Sequence, residues 1–567
     1  MQKRWIYKQV PEASAVNSLA QTLNINPYLS GILLQRGIND FETARKFFRP
    51  QLEDLHDPFL MKDMDSAVSR IIKAFEQNEK ILIYGDYDVD GTTSVALFYQ
   101  YISNFHTNSD VYVPDRYAEG YGVSETGIRW AKQNNFTLIV ALDCGIKSVE
   151  MIRLAKQLGI DFIVCDHHTP GDILPEAVAV LDPKREDCEY PYKELSGCGI
   201  GYKLLQAIYQ HYDKAEADPQ AYIDLVAVSI AADIVPITGE NRVLTWYGLE
   251  KLNNNPLPGL KALIELAGFR REIDINAIVF GLGPRINAAG RVAHASAAVD
   301  LLMSKTDEEA ETLAAALNVN NDTRREFDLS ITQEAISMIE QDTYLKEARS
   351  TVLYKKDWHK GVIGIVASRC IEKYYRPTVI LTESNNKLTG SARSVRGFDL
   401  YKAIESCSDL LEKFGGHKYA AGLTLDISKY EAFRQRFEQV VRENITEEQL
   451  TPAIQIDLGL EFDAITPKFF NVLKQMAPFG PENLNPVFVS ENVYVVNALS
   501  LLKDKHIKFT AAQQDNTNSF TVIGFDMPDH YQKLLDAKKF SIAYSIDEND
   551  FNGERSLQLR LKDIKYT

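Results

Sequence analysis

Two hydrophobic patterns divide this chain. Between about 80 and 300, short unbroken apolar runs end abruptly in polar residues: Ile81–Tyr84, Leu138–Leu142, Phe162–Val164 and Val226–Ile230. Such runs, separated by longer amphipathic stretches, predict the buried strands and covering helices of a parallel α/β sheet. From about 451 onward the apolar residues alternate instead, as in Phe520-Thr521-Val522-Ile523 and Leu557-Gln558-Leu559-Arg560-Leu561. Alternation predicts half-buried strands of a small β-barrel or sandwich. The stretch 303–345 keeps helical periodicity without glycine or proline and predicts a long linker helix. A second α/β unit begins at Thr351-Val352-Leu353-Tyr354 and continues past Ala420. The expected fold is α/β and multidomain: lead-in helices 1–75, a parallel-sheet domain 76–302, the helix 303–345, a second α/β domain 346–450 and a β domain 451–567.

The residues that end the apolar runs are the candidate chemistry. Gly85 runs into Asp86-Tyr87-Asp88-Val89-Asp90-Gly91, Leu142 into Asp143, the 162–164 run into Asp166-His167-His168, and the 226–230 run into Asp233. In an open α/β sheet those strand ends face the ligand crevice. Asp88 and Asp90, spaced i and i+2, share one face of an extended segment, and curling of the strand end brings Asp86 into the same mouth. One acid after a strand is usually a helix cap; four such ends with two imidazoles describe a divalent-metal site. Mixed oxygen and nitrogen donors favour Mn²⁺, and an oxygen-only set Mg²⁺. Two such ions bridged by one aspartate, for which Asp143 is the candidate, suit hydrolysis of a phosphoester. The chain has neither a GxSxG nucleophile elbow nor a Walker loop to offer another route.

Composition narrows the setting. A chain of 567 residues exceeds one core, and 45% hydrophobic with 25% charged residues is ordinary for folded domains. No apolar run is long enough to span a membrane. Met1–Lys8 is basic without an apolar core, so a secretory signal is not expected and a cytoplasmic location is. Six cysteines without a CxxC pair point to reduced thiols. The net charge of −16 seems to oppose a nucleic-acid partner. Whole-chain charge does not locate a groove, however, and bound divalent cations reverse the local potential.

Taken in order, Asp88 with Asp90, Asp143, Asp166-His167-His168 and Asp233 resemble the four motifs of the DHH phosphoesterase superfamily. Further segments are Gly85–Gly91, Arg116 with Glu119-Gly120-Tyr121-Gly122, Gly283–Arg291, Trp358–Gly364 and Gly415–Gly422. Over nearly its whole length the chain is similar to that superfamily's single-strand-specific 5′→3′ DNA exonucleases. The resemblance implies a pair of Mn²⁺ (or Mg²⁺) ions held by Asp88, Asp90, Asp143, His167 and Asp233, with Asp86 a further candidate and His168 meeting the scissile phosphate. Many relatives carry histidine where this chain has Tyr84, so Asp86 or water is expected to fill that coordination position. Ser391 and Arg393, assisted by Arg116, are expected to bind a terminal 5′-phosphate, which the planar arginine fork suits. Arg285, Asn287 and Arg291 are expected to contact the DNA backbone or to clamp a strand to a helix. His417 is expected to donate to a phosphate, unless Gly415-Gly416 is only a tight turn. The resemblance makes the β domain an oligonucleotide-binding fold, with Phe479, Phe488, Tyr494 and Phe509 mostly core and Lys503, Lys505, His506 and Lys508 a strand contact. The implied activity is removal of mononucleotides from single-stranded DNA in recombination and repair, by a monomer working with a helicase and a single-strand-binding protein and no membrane. Competing expectations are a phosphodiesterase of the same superfamily acting on short oligonucleotides, cyclic dinucleotides or polyphosphate, and a non-catalytic single-strand-binding scaffold.

Overall fold

The computed structural model describes residues 3–212, 217–497, 499–514, 516–551 and 554–566. After a short strand β1 (Arg4–Tyr7), a five-stranded sheet carries the first domain: β2 (Ile81–Gly85), β3 (Ser109–Tyr112), β4 (Leu138–Leu142), β5 (Asp161–Cys165) and β6 (Ala179–Leu181). All pairings are parallel and the spatial order is β3-β2-β4-β5-β6. Every residue of β2 and β4 is buried, as expected of strands covered on both faces. The order reverses at β2, so the crevice between the ends of β2 and β4 is the topological switch point. Pairing runs out at Gly85↔Leu142, Leu142↔Cys165 and Cys165↔Leu181. Asp86, Asp143, Asp166 and Asp182 therefore leave four neighbouring strands side by side.

Strand and helix alternate only as far as β5, since no described helix lies between β5 and β6. Helix α1 (Val89–Ile102) follows β2, but beyond β6 the described residues of this domain form helices, among them α2 (Gly197–His211), α3 (Ile223–Ala232) and α4 (Gly239–Asn254). Val226–Ile230 is thus not a strand, and Asp233 follows the C-terminus of α3. The reason is that α3 is buried from Ile223 through Ala231. A helix enclosed on all sides has no polar stripe, and a short apolar run then looks like a buried strand. Gly283–Arg291 likewise lies in a helix, α5 (Gly283–Val292), so a strand-to-helix clamp does not apply. The linker helix α6 runs Asp307–Gln341; Thr306 caps it, and Asp307, Glu308 and Glu309 in its first turn complement its dipole.

The second sheet consists of β7 (Thr351–Tyr354), β8 (Thr378–Ser384), β9 (Lys387–Arg393), β10 (Lys413–His417) and β11 (Ala420–Leu425), in the order β10-β11-β9-β8-β7. Helix α7 (Ile363–Tyr374) packs with the C-terminal part of α6 in one hydrophobic core. Gly415 and Gly416 are strand residues, and the turn falls at Lys418-Tyr419.

Strand β12 (Ala453–Ile456) pairs in parallel with β1. The last domain contains β13 (Leu458–Gly459), β14 (Phe488–Val495), β15 (Ser500–Leu502), β16 (His506–Gln513), β17 (Ser519–Gly524), β18 (Phe540–Phe551) and β19 (Glu554–Tyr566). Pairing of β14 with both β18 and β16 closes β14-β18-β19-β17-β16 into a barrel. Phe488 and Phe509 fill it, whereas Tyr494 is 38% exposed. Leu19, Leu29, Ile32 and Leu33 share that core, while Met61–Ala74 packs under the first sheet. The N-terminal helices therefore belong physically with the barrel.

Candidate metal centre and phosphate pocket

The ends of β4 and β5, the first turn of α1 and the end of α3 deliver donor groups to one point. His167 Nε2 lies 3.2 Å from Asp143 Oδ1, 3.5 Å from Asp233 Oδ2 and 3.7 Å from Asp90 Oδ2. Two sets of donor atoms lie close enough to share a cation: Asp143, His167 and His168, and Asp90, His167 and Asp233. Asp86 Oδ2, Asp143 Oδ1 and both nitrogens of His167 are buried without a hydrogen-bond partner. Buried polar atoms seldom go unpaired; the vacant Asp143 Oδ1 and His167 Nε2, 3.2 Å apart, fit a divalent cation.

Burial and mutual repulsion act on the same groups. Asp86, Asp143 and Asp88 are pushed up first by burial and then by neighbouring carboxylates, Asp88 acting on Asp86, and Asp90 on both Asp88 and Asp143. Asp233 is raised to about 8 by burial, then by Asp90 and Asp88. Asp90 is held differently: it accepts from the Gly197 and Cys198 N–H groups that open α2, at 2.7 and 2.8 Å, and from the Ser229 hydroxyl at 2.7 Å. A helix N-terminus is a natural seat for an anion. Asp88 Oδ1 accepts from Gly91 N–H at 3.1 Å and starts α1. Asp143 has φ +60, a left-handed conformation costing a non-glycine residue about 1–3 kcal/mol. Gly197 allows it, because a Cβ there would stand 2.6 Å from Asp143 Cβ.

Asp166 is saturated rather than vacant. Its Oδ1 accepts from the His167 and His168 N–H groups and from His168 Nδ1 at 2.6 Å, and its Oδ2 from Ile146 N–H at 2.9 Å. Burial alone would raise this carboxyl, but the bond and charge of His168 and the Ile146 N–H bring it to about 2. Burial lowers His168, yet the bond to Asp166 lifts it to about 9, so near neutral pH it is a cationic donor. Tyr84 points away from the metal ligands: its hydroxyl donates to Gly122 O and accepts from Ser124 N–H, each at 3.1 Å. It therefore secures the 119–124 loop, and Gly122 N–H in turn reaches Asp86 Oδ1 at 3.3 Å.

The second sheet carries the candidate phosphate residues Ser391, Arg393 and His417. Gly415, Gly422 and Ser391 form one cross-strand row, and His417, Ala420 and Arg393 the next. Residues directly opposite share a face, so small residues leave space between His417 and Arg393. Arg393 Nη1 donates to Ser391 Oγ at 3.1 Å. The start of α7 abuts both, since a Cβ on Gly364 would lie 2.8 Å from Ser391 Oγ and 2.9 Å from Arg393 Nη2. The charged group pressing on Arg393 is Arg116, and burial, Arg116, Arg324 and Arg393 bring Arg291 down to about 10. Like charges gathered on two domains suit a polyanion. His417 lies within electrostatic reach of Lys147 and His168, so this sheet faces the metal centre.

Residues 80–230 match the DHH family N-terminal domain, 347–443 the DHHA1 domain and 456–563 the RecJ OB domain. The chain is 37% identical to the single-stranded-DNA-specific exonuclease RecJ of Bacillus subtilis, over 99% of this chain and 70% of that one. It is 33% identical to the Escherichia coli protein of the same name, over 95% and 96% of the two chains. This chain belongs to the RecJ family. Crystal structures of Thermus thermophilus RecJ in complex with Mn²⁺ and with Mg²⁺ superpose on it with TM-scores of 0.86 and 0.80. The Mn²⁺ structure covers 100% of this chain at 26% identity, and 80% of its own chain is covered.

Within this RecJ-family fold, the cleft gathers Asp86, Asp88, Asp90, Asp143, His167, His168 and Asp233 at one end and Arg116, Arg291, Ser391 and Arg393 at the other. Arg285 stands apart: it donates to Asn318 Oδ1 at 3.2 Å and to Gly281 O at 2.8 Å, with Arg325 and Asp322 as its charged neighbours. Asn287 is half-buried on α5. Sequence reasoning missed Asp182, which leaves β6 level with the others, is fully buried and is raised to about 7 by burial and then by Asp166. The same signal, an apolar run ending in aspartate at Ala179-Val180-Leu181-Asp182, would have found it. Nothing local marks Gly197 or Ser229, which reach Asp90 only through the tertiary fold.

Proposed function

We propose that this chain is a Mn²⁺- or Mg²⁺-dependent exonuclease that removes mononucleotides from the 5′ end of single-stranded DNA. The observation that carries the reading is the set of unpartnered ligand atoms on Asp86, Asp143 and His167, facing an arginine cluster across one cleft. Asp88, Asp90, Asp143, His167 and Asp233 would hold the metal, with Asp86, whose Oδ2 is buried and unpartnered, a further candidate ligand. Bound there, divalent ions would supply Lewis acidity for activating water and for offsetting charge on the phosphoryl oxygens. Asp166 fixes His168 through Nδ1, and Nε2, which meets the Tyr121 hydroxyl at 3.1 Å, would donate to a phosphate oxygen once substrate replaces that contact. Ser391, Arg393 and Arg116 would take the terminal 5′-phosphate, helped by the N-terminus of α7. The first nucleotide then bridges two domains, which supplies both polarity and a mononucleotide product.

Beyond the cleft, a groove on the barrel is lined by Arg271, Lys508 and Arg560, with Phe525 42% exposed and the Arg560 guanidinium 5.3 Å from its ring centroid. Cations around an exposed aromatic suit an unpaired strand. No described helix is long and apolar enough to cross a membrane. The reading places a monomeric enzyme in the cytoplasm, supplied with single strands by a helicase and a single-strand-binding protein during recombination and repair.

The test uses one oligonucleotide labelled at either end, with and without a 5′-phosphate, in Mn²⁺. Mononucleotides should come first from the 5′ end, and Asp143→Ala should bind but not cleave. Arg393→Ala should lose the preference for a 5′-phosphate. Early release of the 3′ label defeats the assigned polarity. Efficient hydrolysis of dinucleotides with slow digestion of long strands would favour the short-substrate alternative. Deleting residues 451–567 is a poor discriminator, because the barrel core includes Leu29 and Ile32 and β12 pairs with β1.

A further inference from the structure

The two α/β domains close separate hydrophobic cores, and α6 contributes to both. Beside that helix the second domain also touches the first directly, backbone to backbone, at Gly361. A Cβ on Gly361 would overlap the carbonyl oxygen of Arg291 and the hydroxyl of Tyr117, and would stand 2.9 Å from His359 Cε1. Arg291 Nη1 donates to Gly361 O at 2.9 Å, and the Tyr117 hydroxyl donates to Arg291 O. The Lys360 ammonium covers the Tyr117 ring, 4.0 Å from its centroid. The segment is held from behind as well. Trp358 Nε1 donates to Glu334 Oε2 on α6 at 2.8 Å, and the Thr382 hydroxyl on β8 donates to Trp358 O at 2.6 Å. His359 stacks on Phe327 of α6, with ring centroids 4.8 Å apart.

Two further close approaches extend this contact in opposite directions. Toward the metal centre, a Cβ on Gly290 would stand 3.0 Å from the carbonyl oxygen of Tyr87, the residue between Asp86 and Asp88. Toward Arg393, Gly364 at the start of α7 leaves just the room that Ser391 Oγ and Arg393 Nη2 occupy. The 86–88 loop, Gly290-Arg291, Gly361, Gly364 and Arg393 therefore form one packed line, and glycine stands wherever a side chain would break it. Close-packed parts pass a displacement on rather than absorb it.

We infer that Gly361 is a positioning residue that fixes the distance between the metal centre and Arg393 at the span of one nucleotide. The inference rests on the 5′-exonuclease reading. The Arg291 carbonyl is backbone and cannot swing aside, so a methyl group at 361 would push the second domain outward. A phosphate on the metal and a phosphate on Arg393 would then no longer fit one nucleoside. Each site would stay intact, and only their register would be lost.

The test compares wild type and Gly361→Ala in Mn²⁺ on oligonucleotides with and without a 5′-phosphate. Two competitors are added: deoxythymidine 3′,5′-bisphosphate, with both phosphates on one nucleoside, and thymidine 3′-monophosphate, with one. Wild type should bind the bisphosphate at least about tenfold tighter, as charge-assisted bonds to the second phosphate imply. Gly361→Ala should lose that margin and raise KM on the 5′-phosphorylated end by about the same tenfold. Its kcat and KM on the 5′-hydroxyl end, and its affinity for the monophosphate, should stay close to wild type. Equal losses on both ends overturn the inference, and so does a bisphosphate margin that survives Gly361→Ala. A wild type that prefers 5′-phosphorylated strands yet binds both competitors alike overturns it too. Should Gly361→Ala not fold, Tyr117→Phe decides, since it removes one abutting oxygen and the bond to Arg291. The margin should shrink in that variant, and a full margin counts against the inference. Absence of any 5′-phosphate preference in wild type would instead sink the assignment of the terminal phosphate site, and this inference with it.

Discussion

Removing and restoring the metal at two pH values tests the electrostatics of the centre directly. Without metal, burial and mutual repulsion raise Asp86, Asp88 and Asp143, and Asp233 to about 8. In the unfolded chain such carboxyls titrate near their ordinary value of about 4. The native state therefore holds more protons than the unfolded state between those limits, and stability falls as pH rises. Each such carboxyl costs about 1.4 kcal/mol per pH unit over the window in which it is charged in one state and neutral in the other. A divalent cation binds the ionised form, so its benefit runs the other way and grows with pH. At a hundredfold excess over Kd, one ion adds about 2.7 kcal/mol, or about 5–10 °C in Tm for a domain of this size.

Thermal unfolding with EDTA and with Mn²⁺, at pH 6 and pH 8, reads both effects. The metal-free Tm should fall between the two values, and the Mn²⁺ shift should be larger at pH 8. The His168–Asp166 pair adds a slope of the same sign: with His168 raised to about 9, its stabilisation is complete below its unfolded value and is lost as pH rises through 9. Asp143→Asn separates the two. It removes one charge from the cluster, keeps the shape, and keeps a residue type that tolerates φ +60. The variant should show a shallower metal-free slope and a smaller Mn²⁺ shift. A metal-free Tm that rises from pH 6 to pH 8, or an Mn²⁺ shift unchanged by Asp143→Asn, refutes the argument.

Gly197→Ala should abolish Mn²⁺-dependent hydrolysis and the Mn²⁺ shift while the barrel stays folded, because its Cβ would collide with Asp143; activity close to wild type counts against the assigned close approach. Asp166→Asn should lower kcat about 10–100-fold, the usual cost of losing a group that orients a ligand or donor, and steady-state kinetics at saturating Mn²⁺ would show it. Arg242 is buried on α4 and donates to the carbonyls of Phe47, Met476 and Ala477, joining the N-terminal helices, first domain and barrel. Arg242→Met removes the donor from the Phe47 and Ala477 carbonyls, at about 1–3 kcal/mol each, while Met476 O keeps the Asn483 amide; a loss below about 1 kcal/mol in urea unfolding would rule the clamp out.

The site was more legible than the fold around it. Three of the acidic motifs follow true parallel strands, so the apolar run and the acid after it are one local signal. Asp233 was found on the wrong element, since α3 is enclosed on every face and its sequence loses the polar stripe that marks a helix. Tyr84 replaces a histidine expected from relatives, yet its hydroxyl serves a loop across the sheet, a role fixed by Gly122 and Ser124 rather than by its neighbours in sequence. The sharing of a core between residues 19–33 and the barrel was not legible at all. Pairings between chain ends leave no trace in local periodicity, and the lead-in helices look alike whichever domain they cover.

A chain of net charge −16 that takes up a polyanion must segregate its charges. The acids converge on the switch point between β2 and β4, where a sheet end and the N-terminus of α2 hold them against their own repulsion. The arginines converge from α5, the 115–122 loop and β9, where burial and like charge lower Arg291 and Arg393. Each cluster is unfavourable alone: the acids without a cation, the arginines without an anion. In the proposed binding mode a metal-bound strand end would satisfy both at once, with one phosphate on the cations and the next on the guanidiniums. The repulsion relieved would be that within each cluster, among the acids and among the arginines. On that proposal the charge separation is a device for recognising a strand end, which neither cluster could achieve by itself.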